Sequence, residues 1–150
     1  MLFNFIGGFI IPWIFGIYLA LKSPKTLLLI FPVGAVFSLA INNIGFHFKF
    51  WIFTPIMPNN ESISALPLDL GLYPVLACFM IKSIMTNRSM AALIMFLFIL
   101  FTTLLEFTGL LFGKVFYSNH WNIGFTFLSY VIAFGGVFLY FKLLERFRLL

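Results

Sequence analysis

Charge is spread so thinly along this chain that it divides the sequence into apolar runs long enough to cross a bilayer. Residues 1–21 contain no Asp, Glu, Lys or Arg, and neither do residues 26–48, 70–81 or 115–141. Residues 89–113 contain one such residue, Glu106. A spanning helix needs about 20 mainly apolar residues. The runs therefore predict helices over residues 2–21, 26–46, 67–85, 90–112 and 123–141. They are continuous rather than alternating, which favours helices over barrel strands. The expected fold is an all-α membrane protein, a bundle of about five transmembrane helices forming a single domain over residues 1–150. Only 9% of residues are charged, against about 25% in a soluble domain. Lipid is the solvent that fits such a surface, and the 23 phenylalanines are cheap to place in it.

Orientation follows from the basic residues. With five helices, Lys22, Lys25, Lys82, Arg88, Lys142, Arg146 and Arg148 all fall on one side, and Lys49 and Lys114 on the other. The positive-inside rule makes the first side cytoplasmic, so the N-terminus is outside and the C-terminus inside. This asymmetry suits a multi-pass protein of a bacterial cytoplasmic (inner) membrane. The first helix lacks a basic leader and a small-residue cleavage pattern, so it reads as an uncleaved span. The net charge of +5 is a topology signal and an attraction to anionic lipid, not a nucleic-acid footprint. Cys78, the one cysteine, reads as a small buried apolar residue.

The polar groups gather toward the outer leaflet. Glu106 lies about five residues outward of the middle of its run, about 7 Å from the midplane at a rise of about 1.5 Å per residue. Asn42 lies at similar depth on the second helix, with Asn43 beside it. Gly34, Ser38 and Asn42 recur at every fourth residue and share a face. Thr102, Thr103, Gly109 and Gly113 make a similar stripe around Glu106, and Gly8, Pro12 and Gly16 another on the first helix. Membrane helices pack through such stripes. The expectation is that helices two and four face each other, with Asn42 near Glu106. Pro12, Pro32 and Pro74 are expected to kink their helices.

The candidate ligand-binding residues are Glu106, Asp69, Asn42, Asn43, His47, Thr102, Thr103 and His120. A carboxylate inside a bilayer costs several kcal/mol unless it is paired, hydrated or protonated, which makes Glu106 the leading candidate. It can equally be a protonated acid hydrogen-bonded to Asn42 or a threonine, holding helices together. Asp69 follows Pro67 and suits the first turn of the third helix, with Ser64 near the cap. It can alternatively join Glu106 in a two-carboxylate site. His47 and His120 read as interfacial residues, and no metal-ligand spacing is present. Lys49 and Lys114 read as side chains that snorkel to the headgroups, or alternatively as groups that bind an anionic headgroup or partner the acids. The longest loop, residues 47–66, holds Trp51, Phe53, Pro55, Pro58, Asn59 and Asn60. It is the segment able to form a lid or partner surface, with Trp51 and Phe53 in the headgroup layer. No catalytic signature is read, and no cofactor is named.

Several of these residues also carry a resemblance. The pieces are Trp51 to Pro55, then Leu66, Pro67, Leu68, Asp69 and Leu70, then Tyr73 and Pro74. Thr102, Thr103 and Glu106 with Phe107, and Asn119 to Asn122, extend it. Together they resemble a family of small multi-helix integral membrane proteins of Gram-positive spore-forming bacteria, over roughly residues 42–122. What the resemblance implies is a multi-helix membrane architecture and no mechanism. The segment around Asp69 also faintly resembles membrane carotenoid cyclases, but Leu70 stands where their second acid would be.

Three function classes follow. One is a membrane protein binding or transporting a small ligand, ion or lipid at an outer-leaflet site around Glu106. Transport by so few helices would imply a homo-oligomer. The second is a non-enzymatic helper subunit packed on a membrane-protein partner. The third, ranked behind both, is a membrane-embedded enzyme acting on an apolar substrate.

Overall fold

The computed structural model describes residues 1–57 and 60–150; Pro58 and Asn59 of the long loop lie outside the described residues. Five helices are long and apolar enough to cross a membrane: α1 (Leu2–Lys22), α2 (Pro24–His47), α3 (Glu61–Thr86), α4 (Arg88–Leu111) and α5 (Ile123–Arg146). They run alternately up and down. Lys22, Lys25, Lys82, Arg88, Lys142, Arg146 and Arg148 therefore share one end of the bundle. There Arg88 and Lys142 hold Glu145 at 2.8 and 2.9 Å. The opposite end, the loop end, carries the long loops.

Each boundary has a local cause. Pro24 stands at the first turn of α2, where its missing N–H costs nothing. Asn122 caps α5, its side-chain oxygen accepting from the Gly124 and Phe125 amides. The outward faces remain apolar, with Leu21, Leu28, Phe112 and Leu139 each 70% or more exposed. In water such a surface would be prohibitive, whereas lipid accepts it.

α3 is the core. Of its most apolar window 56% is buried inside the bundle, against 17% for α4. The helices α2, α3, α4 and α5 close a ring in which each packs on the next, and α1 packs outside on α2 and α3. Helices two and four thus lie on a diagonal, and the expectation that they face each other is incorrect. Their small-residue stripes serve other neighbours. Gly34 packs on Pro74 and Ala77 of α3, and Gly109 on Val115. The contact of α3 with α5 across the middle holds the other pair apart.

Two helices share one distortion. A π turn over Ile6–Ile10 precedes Pro12 in α1, and a π turn over Leu68–Leu72 precedes Pro74 in α3. Proline has no N–H to return to the carbonyl four residues earlier. For Pro74 that carbonyl belongs to Leu70, and the Trp13 indole N–H donates to it at 2.9 Å. For Pro12 it belongs to Gly8, whose oxygen points at Gly71; a Cβ on Gly71 would lie 2.1 Å from it. The two π turns are packed on each other through these glycines.

The third helix begins at Glu61, six residues before the expected start. Glu61 takes the first-turn acidic position. Asp69 is therefore no cap, and it lies buried inside the helix. Ser64 does not cap either; its hydroxyl donates to the Pro55 carbonyl. The loops also pair. Strand β1 (Trp51–Phe53) runs antiparallel to β2 (Val115–Tyr117), with Trp51 opposite Tyr117. Trp51 and Phe53 are consequently buried within the protein.

Candidate functional site

Two carboxylates occupy the loop end of the bundle, each in its own polar nest. Asp69 sits in the α3 π turn and is 1% exposed. The Ser38 hydroxyl and the Asn42 amide both donate to its Oδ1, the amide at 2.6 Å. The Trp51 indole in turn donates to Asn42 Oδ1 at 3.1 Å. The fourfold spacing of Ser38 and Asn42 on α2 serves this acid. The Trp51 ring lies over Gly45, where a Cβ would come within 2.0 Å of it.

Glu106 on α4 is the hub of the second nest. Tyr117 donates to its Oε1 at 2.7 Å, Tyr130 to Oε2, and Thr126 lies 3.3 Å from Oε1. The Thr126 and Tyr117 hydroxyls are 2.6 Å apart, and the Trp121 indole donates to Thr126 Oγ1 at 2.9 Å. Thr126 and Tyr130 are four residues apart and so present one face of α5. Burial and the Glu106 charge hold the Tyr117 phenol above its ordinary value, so it remains a proton donor. A carboxylate gathering several hydroxyl donors is a charge-assisted network. Among the described residues no Lys, Arg or His forms an ion pair with Glu106 or Asp69.

Tyr73 joins the nests. It follows Asp69 by four residues on α3, and its hydroxyl is 3.3 Å from that of Tyr130. The Trp51 and Trp121 rings approach to 4.8 Å at the top.

Glu106, Tyr73 and Tyr130 also line two separate clefts. One opens between α2 and α5, with about 540 Å³ of empty space to its mouth; Ser38, Asn42 and Trp51 share its lining. The other opens between α1 and α4, with about 820 Å³ of empty space including the open region at its mouth, and holds Asn4, Thr102 and Lys114. The Lys114 ammonium lies over the Phe3 ring there, 5.2 Å from its centroid.

The sequence candidates divide accordingly. Asn42 and Glu106 both line the α2–α5 cleft, but the expected hydrogen-bonded proximity is replaced by Asn42 serving Asp69. Thr102 and Thr103 turn back to the carbonyls of Phe98 and Ile99 on their own helix. Asn43 is exposed, donating to Leu39 and accepting from Ser62. His47 and His120 are exposed and join neither nest. Among the described residues no three His, Cys, Asp or Glu side chains come together as a metal site. Sequence reasoning missed Tyr130 and Thr126, whose shared face on α5 was the available signal. Compared with family models, with curated proteins and with solved structures, the chain matches none.

Proposed function

We propose that this chain is a multi-pass protein of a bacterial cytoplasmic membrane, N-terminus outside and C-terminus inside, that binds a small ligand at an outer-leaflet site around Glu106. The observation that carries the reading is one carboxylate, without a cationic partner among the described residues, lining two clefts at once. A merely structural acid would be enclosed, as Asp69 is at 1% exposure. Glu106 instead lines both clefts, whose linings do not include Asp69, while its donors fix its orientation. Pre-formed clefts with a few convergent polar groups are the usual form of ligand sites. The hydroxyls of Tyr117 on β2 and of Thr126 and Tyr130 on α5 would hold the carboxylate still while a ligand enters.

The test is chemical modification with the apolar reagent dicyclohexylcarbodiimide, followed by peptide mass spectrometry. Glu106 is expected to be modified and Asp69 spared. Modification of Asp69 before Glu106, or of neither, contradicts an accessible site at Glu106.

A further inference from the structure

Proton bookkeeping in the cleft between α2 and α5 indicates what kind of ligand it takes, an inference that rests on the ligand-site reading above. Ser38 and Asn42 give protons to Asp69, and Trp51 gives its own to Asn42. Tyr130, Tyr117 and Thr126 give theirs to Glu106. Ser129 donates to the Thr126 carbonyl at 2.8 Å, and Trp121 to the Thr126 hydroxyl. Each hydroxyl and each indole has a single proton to give. The donors left over are the Tyr73 hydroxyl and the second Asn42 amide proton.

The cleft therefore offers acceptors and rings rather than donors. Its lining combines the Glu106 carboxylate with the rings of Phe37, Trp51, Tyr73, Tyr130 and Phe134, and includes no Lys, Arg or His. The nearby cation, Lys114, lines the other cleft. An anion entering here would meet a carboxylate and almost no free N–H or O–H. A bare metal ion would need several oxygen ligands at once, and much of this wall is carbon. Aromatic rings beside a carboxylate suit a cation carrying an apolar body. We propose that the α2–α5 cleft binds an organic monocation, its ammonium against Glu106 and its apolar body among Phe37, Ala133 and Phe134.

The experiment uses the full chain in nanodiscs of zwitterionic lipid, with two probes of the same shape. These are 2-phenylethylammonium and the neutral 2-phenylethanol, titrated by calorimetry and by tryptophan fluorescence. The parent is expected to bind the ammonium about tenfold or more tighter than the alcohol. Glu106→Gln is expected to bring that ratio close to one. Ala133→Phe, which fills the cleft, is expected to abolish binding of both. Equal affinities in the parent, both lost in Ala133→Phe, overturn the cation assignment and leave the ligand site standing. A tenfold preference that survives in Glu106→Gln also overturns it. Binding of neither probe overturns the cation assignment together with the ligand reading. The parent's own ratio decides the matter even where Glu106→Gln fails to fold.

Discussion

Replacing Gly71 by alanine would put a Cβ 2.1 Å from the Gly8 carbonyl oxygen and 2.7 Å from the Phe9 Cα. Both obstacles are backbone, and no rotamer change can move them. To reach ordinary van der Waals contact the two π turns would have to separate by more than 1 Å at their closest point. Overpacking a well-filled interior costs about 1–3 kcal/mol, and a backbone clash belongs at the upper end. Separation also strains the 2.9 Å bond from Trp13 to Leu70, worth about 1 kcal/mol. The expected loss is thus about 3–4 kcal/mol of stability. Gly7→Ala is the control: a Cβ there meets nothing within 4 Å. It should be neutral, or stabilising by up to about 1 kcal/mol through helix propensity. Unfolding titrations of both variants in detergent, followed by tryptophan fluorescence, measure the pair. Similar stability of Gly71→Ala and Gly7→Ala would refute the packing of the two π turns.

Further outcomes follow from single contacts. Asp69→Ala leaves the buried Ser38 hydroxyl and Asn42 amide without their acceptor. It should cost about 2–4 kcal/mol, whereas Asp69→Asn, which retains an acceptor oxygen, should cost less in the same titration. Asn122→Ala removes the α5 cap and should lower stability by about 1 kcal/mol in thermal unfolding. Buried Cys78 should give little background in thiol labelling. His120→Cys is expected to react with a membrane-impermeant maleimide in intact cells and Ser89→Cys to stay unreacted, and the reverse pattern would invert the topology.

The sequence carried some levels of this structure and hid others. Spans were readable because lipid leaves so little freedom: α1, α2 and α4 start and end within about two residues of the expected bounds, and α5 starts at the expected residue and continues past Phe141 to Arg146. The start of α3 was not, because Pro67 imitates a first-turn proline while the helix begins at Glu61. Which helices touch was hidden as well. A small-residue stripe states that something approaches closely and does not name the partner, so the α2 stripe could serve α3 as readily as α4. The acids were visible because a charge in an apolar run stands out. Tyr130 and Thr126 were not, since uncharged hydroxyl residues merge with the lipid-compatible background of α5 until Glu106 is placed beside them. The pairing of β1 with β2 depended on two loops distant in sequence, and neither announces the other.

The central claim is that Glu106 is a working group and not packing between helices. The most direct measurement is thermal stability of the parent and of Glu106→Gln over a range of pH. The account predicts that both fold and that the difference between them changes with pH, because only the parent carries a group there that exchanges a proton. A large destabilisation of Glu106→Gln that is the same at every pH would contradict it and make the acid structural.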